Sequence, residues 1–314
     1  MKILVTGGAG FIGSHVVDAY IGAGHEVIVV DNLWEYGGGK EANVNPAARF
    51  VQMDIRDAAF AELIRAERPE VICHHAAQAS VKVSTDNPAL DADVNILGLI
   101  NLLEAAAAAG TRKVIFASSG ATYGTVEQLP ITEQTPQRPE SPYGITKYAS
   151  EFYLKYMKTE RGLDFTAFRY GNVYGPRQDP HGEAGVVAIF SERVLTHQPC
   201  RIDWTGEQAK DYVYVGDVAQ ANLLALDKGG GECICIATGT PTSVNRLFEL
   251  ICQNVGHTVP TVSAPRRPGD VFMSYFDISY AKQVLGWAPT RTIEQGLAET
   301  VEWFRARHQG TSGV

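Results

Sequence analysis

The sequence predicts an α/β fold, a doubly wound parallel sheet with a smaller C-terminal α/β region, on three observations. Six short apolar, often β-branched runs alternate with helical segments through the first 170 residues, and a glycine-rich turn joins the first run to the first helix. After about residue 175 the rhythm gives way to Pro/Gly-rich polar stretches. The runs are Ile3-Leu4-Val5, Val27 to Val30, Phe50 to Met53, Val71-Ile72-Cys73, Val114-Ile115-Phe116 and Phe165 to Phe168. Runs separated by helices pair in parallel through right-handed crossovers and are buried on both faces. Between the first two, Ile12, Val16 and Tyr20 recur at helical spacing and Gly24 supplies the stop. From Pro88, capped by Asn87, to Ala109, ended by Gly110, Leu90, Val94, Ile96, Leu97, Leu99, Ile100, Leu102 and Leu103 surround most of one helix axis. The helix opened by Ser141 and Pro142 carries a similar excess in Tyr148, Phe152, Tyr153, Tyr156 and Met157. The sheet covers only one face of each. Helices 88–109 and 142–161 are therefore expected to form a homodimer interface, the competing expectation being cover by the C-terminal part of the same chain.

Composition narrows the classes. The chain has 314 residues, 45% hydrophobic and 20% charged, an ordinary globular balance that excludes disordered and fibrous chains. A net charge of -8 opposes binding to a nucleic-acid backbone or an anionic membrane, so neither partner is expected. Met1-Lys2-Ile3 leads into a strand without an apolar signal core, and no uninterrupted apolar stretch reaches the roughly 18 residues of a membrane span, which makes a cytoplasmic protein the expectation. The five cysteines are scattered, with no Cys-x-x-Cys pair, so neither a disulfide framework nor a metal site is expected.

Two constellations carry chemistry. Thr6-Gly7-Gly8-Ala9-Gly10-Phe11-Ile12-Gly13, read with its first glycine at 7 or at 8, lies between strand and helix as in the Rossmann dinucleotide-binding turn. There, missing Cβ atoms let the helix N-terminus approach a pyrophosphate. Asp31, 18 residues after Gly13, ends the second strand. A carboxylate there accepts both ribose hydroxyls and repels a 2′-phosphate, which favours NAD over NADP. The second constellation is Ser119, ending the fifth strand, with Tyr143 and Lys147 four residues apart on one helical face. An ammonium beside a phenol that ordinarily titrates near 10 is expected to lower it by roughly 1–3 units, making Tyr143 a usable base while Ser119 holds the same substrate oxygen.

In these motifs the chain resembles the extended short-chain dehydrogenase/reductases, and among them the NAD-dependent epimerase/dehydratase family, most closely its UDP-glucose/UDP-galactose 4-epimerase group. The likeness continues through Asp31-Asn32-Leu33, Met53-Asp54-Ile55, His74-His75-Ala76-Ala77-Gln78, Arg169-Tyr170-Gly171-Asn172, Asp211-Tyr212-Val213-Tyr214-Val215 and Arg266-Arg267-Pro268-Gly269-Asp270. It implies residues 1–175 as the NAD-binding domain and 176–314, with some interleaving, as the nucleotide-sugar domain. It implies catalysis by Ser119, Tyr143 and Lys147, and cofactor contacts from Gly7, Gly10, Phe11, Ile12, Gly13, Asp31, Asn32, Asp54, Ile55, Ala76, Ala77, Gln78, Asn95, Tyr143, Lys147 and Tyr170. Substrate contacts would come from Ser119, Tyr143, Asn172, Lys210, Arg267 and Asp270. Lys210 stands where the family commonly carries Arg, a point charge in place of a fork. Lys82 falls three positions later than a sugar-contacting lysine of some members. Glu183, Ala184 and Gly185 replace an Asn pair, and Ser274 replaces a bulky gate.

The function so implied is NAD-dependent 4-epimerisation of a UDP-hexose through a 4-keto intermediate. The alternatives are the same reaction on a UDP-N-acetylhexosamine or UDP-uronic acid, a 4,6-dehydration, or reduction of a 4-keto sugar. Dehydratases of the family place an Asp-Glu pair directly after the strand-end hydroxyl residue, where this chain has Gly120 and Ala121.

Overall fold

The computed structural model describes residues 1–34, 37–181, 185–266 and 271–311, without the side chains of the last two of these. Seven parallel strands form the main sheet: β1 (Lys2–Thr6), β2 (Glu26–Asp31), β3 (Arg49–Gln52), β4 (Val71–His74), β5 (Lys113–Ser119), β6 (Asp164–Tyr170) and β10 (Glu232–Ile236), in the order β10-β6-β5-β4-β1-β2-β3. The first six are the runs read from sequence. The seventh comes from the C-terminal half, where the broken rhythm concealed it.

Alternation along each strand builds two hydrophobic layers. Ile3, Val5, Val27 and Val29 face one side, where helices α1 (Phe11–Gly22), α8 (Val215–Leu224) and α10 (Ser279–Leu285) bury Val16, Tyr20, Val218 and Leu285. Leu4, Ile28 and Val30 face the other, under α2 (Ala58–Glu67), α5 (Gly98–Ala109) and α6 (Pro142–Arg161). The second half of the chain thus returns to the first sheet with two helices and a strand. Its remainder forms a separate core of Phe190, Leu247, Ile251, Leu297 and Val301 on α7 (Val186–Leu195), α9 (Val244–Val255) and α11 (Ile293–Thr311). Beside them β9 (Ala209–Tyr214) pairs with β7 (Asn172–Tyr174), β11 (Pro241–Ser243) and β13 (Met273–Ser274), while β8 (Cys200–Asp203) pairs with β12 (Thr261–Ala264).

The helix expected over 88–109 is not uniform. After the short α3 (Val81–Asp86), α4 (Pro88–Ala92) leads into a π turn at Asp93–Leu97 before α5 begins. Such a turn accommodates one extra residue, which leaves the apolar spacing nearly unchanged and so escapes a periodicity reading. By length and composition alone, Pro88–Ala109 could cross a membrane, with a mean hydropathy of 1.4. Here Leu99, Leu102 and Leu103 are instead buried against the sheet layer. The predicted caps are present: Asn87 accepts from Leu90 N–H, Ser141 from Gly144 N–H, and Gly110 ends α5 at φ 78°.

Three contacts fasten the segment after β7 to the first half. His15 Nε2 donates to the Pro176 carbonyl at 3.0 Å, Arg177 pairs with Asp18 at 2.7 Å, and Lys40 pairs with Asp179 at 2.7 Å.

Candidate active site

The carboxyl ends of β1, β2, β4 and β5 open onto a cavity of about 340 Å³. Gly7, Gly10, Phe11, Ile12 and Gly13 form its floor. Gly7 has φ +68°, and a Cβ there would lie 2.5 Å from the Ala76 nitrogen; one on Gly13 would lie 2.2 Å from the Gly7 carbonyl oxygen. Only glycine fits at either position, which fixes the motif as 7, 10 and 13; Gly8 faces Val29 and Val17 in the core. No side chain caps the N-terminus of α1 and its first turn carries no acid, so its free N–H groups and dipole remain available to an anion.

Asp31 lies at the far wall, 8% exposed, with its oxygens accepting from Ala9 N–H at 3.1 Å and Leu33 N–H at 2.9 Å. Burial pushes its pKa up, and those two bonds act against the rise. Asn32, Asp54 and Ile55 line the same wall, with Asn32 donating to Asp54 at 2.9 Å. Arg56, which the sequence reading missed, also lines it and hydrogen-bonds both oxygens of Asp54, at 2.9 and 2.8 Å, and Asp93 at 2.7 Å. This guanidinium, with Nε, Nη1 and Nη2 each directed at a carboxylate, holds the Asp54 pKa at about 2. Glycine cradle, uncapped helix and paired acceptor together fit NAD.

Ala76, Ala77 and Tyr170 complete the wall, with His75, Leu90 and Val94, which the sequence reading did not assign to the site. Tyr170 is buried behind it, its hydroxyl accepting from Asn222 Nδ2 at 2.9 Å. Gln78 and Asn95 do not line the cavity, which corrects the cofactor contact expected of each, while Asn95 instead supports the helix that carries Tyr143. Gln78 is 2% exposed and its amide turns to Asp91 at 2.7 Å, while Ala79 takes the wall position. Asn95, in the π turn, bonds both the N–H and the carbonyl of Gln78, and its amide reaches Thr146 on α6 at 3.2 Å.

Ser119, Tyr143 and Lys147 do come together. Ser141 and Pro142 start α6 beside the end of β5, so the first turn of α6 delivers the phenol to the cavity wall, with Ser119 close enough to oppose the rise in its pKa. Ser118, which lines the cavity, donates its hydroxyl to Glu151 at 2.7 Å. Lys147 is 3% exposed; its ammonium donates to the Ala117 carbonyl at 2.8 Å and lies 5.8 Å from the Tyr143 ring centre. The pKa of Tyr143 departs from the expected direction. Burial raises it, Ser119 opposes the rise, and Asp91 adds to it. The ammonium is held over Phe116, 4.8 Å from that ring centre, with burial lowering its own pKa to about 8.

The residues implied for substrate are more scattered. Asn172 lines a second cavity of about 230 Å³ with Tyr174, Gln178, Gly185 and Tyr212. Lys210 lies in neither cavity and donates to the Val271 carbonyl at 2.7 Å, with Ser274 opposite it in register. Lys82 sits on the outer side of α3, paired with Asp86. Arg267, Asp270, Glu183 and Ala184 lie outside the described residues.

Known proteins resemble the chain along most of its length. A profile of the NAD dependent epimerase/dehydratase family covers residues 3–237. The chain is 50% identical to a Thermotoga maritima UDP-glucose 4-epimerase solved with UDP-glucose, over 98% of this chain and 100% of that one, with a TM-score of 0.95. Against the Thermus thermophilus UDP-glucose 4-epimerase solved with NAD it is 44% identical, over 97% and 99%, with a TM-score of 0.92. The UDP-glucose 4-epimerase of Mycolicibacterium smegmatis is 44% identical over 98% of this chain and 100% of its own. With a profile matched across most of its length and relatives aligned end to end, the chain belongs to the NAD-dependent epimerase/dehydratase family.

Proposed function

We propose that the protein is a UDP-hexose 4-epimerase, interconverting UDP-glucose and UDP-galactose. The observation that carries this reading is that Tyr143 and Lys147, four residues apart on α6, both line the cavity that holds the glycine cradle, with Ser119 near the phenol. NAD, when bound, supplies the acceptor and donor of the hydrogen at C4. Ser119 holds the sugar O4, Tyr143 takes its proton and returns it, and Lys147 keeps a positive charge beneath the phenol as the proton leaves. The sugar must show its opposite face before the hydrogen returns. No net oxidation results, so a tightly held cofactor is expected.

Gly120 supports epimerisation over dehydration. A Cβ there would lie 2.8 Å from the Phe276 ring, so the acid that dehydration needs at this position has no room. Asn172, Lys210, Arg267 and Asp270 would hold the nucleotide and diphosphate, giving residues 176–314 the substrate and 1–175 the cofactor. Five cysteines, none paired, suit a reducing compartment such as the cytoplasm. Incubation with UDP-glucose, UDP-N-acetylglucosamine and UDP-glucuronate without added cofactor tests the reading by NMR. Galactose formation from UDP-glucose supports it. Water loss, stoichiometric change at the nicotinamide band, or epimerisation of only one of the other two sugars overturns it.

The same reading includes a homodimer. Leu97, Ile145, Phe152, Tyr153 and Tyr156 remain exposed, by 58, 53, 53, 39 and 57%, and the four on α6 lie seven, one and three residues apart, a single helical stripe. Phe152→Glu would bury a charge at such a contact and is expected to convert dimer to monomer in analytical ultracentrifugation. A sedimentation coefficient equal to that of the unaltered protein would refute the assignment.

A further inference from the structure

We infer that Asp91 is a positioning residue for this reaction: its buried carboxylate joins the π turn, the loop after β4 and the first turns of α6, and holds Lys147 in its ammonium form. The inference rests on the reading of Tyr143 and Lys147 as the proton-handling pair.

Asp91 is fully buried, at 0% exposure. Its Oδ1 accepts from Gln78 Nε2 at 2.7 Å and Asn95 Nδ2 at 3.1 Å, and its Oδ2 from the Thr146 hydroxyl at 2.8 Å. All three donors are neutral. A buried carboxylate without a cation in contact is costly, and asparagine would fill the same space with the same neighbours at less cost. The charge therefore calls for a use, and Lys147, which follows the Asp91 partner Thr146 on α6, offers one. That ammonium is itself buried, donates to the Ala117 carbonyl, lies over the Phe116 and Tyr143 rings, and is driven toward its neutral form by desolvation; the opposite charge acting against this is Asp91.

The other charged and titratable groups around the pair are engaged or neutral. His74 and His75, at the end of β4, have pKa values lowered to about 3 by burial. Lys82 and Asp86 on α3 pair with each other, Asp93 pairs with Arg56, and Glu151, further along α6, pairs with Arg169. Thr146 links geometry to charge. Its hydroxyl lies 2.8 Å from Asp91 Oδ2 and 3.0 Å from the Tyr143 carbonyl, and it immediately precedes Lys147.

Asp91→Asn separates charge from shape. The amide oxygen can accept from Gln78 and Asn95, and the amide nitrogen can donate to the Thr146 oxygen, so the three contacts survive while the charge goes. Lys147 should then release its proton at lower pH, moving the alkaline limb of the kcat profile down by roughly one pH unit, with the Tyr143 limb moving the same way. The KM for UDP-glucose and the Tm should change little. The same displacement is expected in the ε-13C resonance of Lys147 in lysine-labelled protein, assigned through Lys147→Arg. A resonance and a pH profile that superimpose on those of the unaltered protein, even at reduced activity, would leave Asp91 a structural role only and overturn the inference. The resonance needs no turnover, so it decides the matter even if UDP-glucose is not epimerised, and that failure would fall on the proposed function alone. If Asp91→Asn does not fold, Asp91→Ser, smaller and equally uncharged, is read by the same resonance.

Discussion

Tyr143→Phe is expected to lower the epimerisation rate by about 10³-fold while leaving the fold and the bound dinucleotide in place. Tyr143 lines the cavity, and removal of its hydroxyl deletes the acceptor for the O4 proton without altering the ring that packs above Lys147. Because burial places this phenol above its ordinary pKa, Lys147 and a cationic cofactor ring have a larger gap to close than the sequence implied. Product formation followed by NMR, the Tm, and NAD released on denaturation together check the prediction. A variant within tenfold of the unaltered rate would remove Tyr143 from the mechanism.

The second large effect concerns stability. Arg169, 3% exposed, forks onto Glu151, 0% exposed, with Nε to Oε1 at 3.0 Å and Nη2 to Oε2 at 2.7 Å. Its remaining donors reach the Tyr123 hydroxyl at 2.7 Å, the Glu133 carbonyl at 3.2 Å and Gln137 Oε1 at 2.9 Å, tying β6 and α6 to the loop after β5. Arg169→Met keeps length and bulk but strands the Glu151 charge, at a cost of about 3–5 kcal/mol. For a chain of this size that corresponds to a Tm lower by roughly 10 °C. Replacing both residues with Met should recover most of the loss, since no unpaired charge then remains. Thermal unfolding of the two single variants and the double variant checks this; an Arg169→Met Tm within about 2 °C of the unaltered protein would show that the pair is not under the strain of burial.

Sequence made the first six strands legible because each is short, apolar and set between helices, and a parallel sheet buried on both faces writes that pattern directly. It also made the cradle legible, because steric need at Gly7 and Gly13 admits one residue type. The strand Glu232–Ile236 escaped because its membership in the main sheet depends on pairing with β6, more than sixty residues earlier, and nothing local records that partner. Arg56 escaped for a similar reason: one of its two acids, Asp93, is 37 residues away in sequence. The direction of the Tyr143 shift was illegible in principle. Four-residue spacing announces that Lys147 is near, but the desolvation that raises the phenol is a property of the packed wall. Gln78 shows the converse error, a residue in the right motif whose side chain a buried carboxylate draws away from the cavity.

The Pro176 carbonyl, Arg177 and Asp179 grip His15, Asp18 and Lys40, so the strand-end segment that borders the Asn172 cavity is stitched to the helix whose tip forms the dinucleotide cradle. A catalyst that must let its sugar swivel between two hydride deliveries, yet never let its redox partner leave, gains from such seams. His15 and Asp18 take these contacts along the flank of that helix, clear of Gly7, Gly10 and Gly13 at its tip.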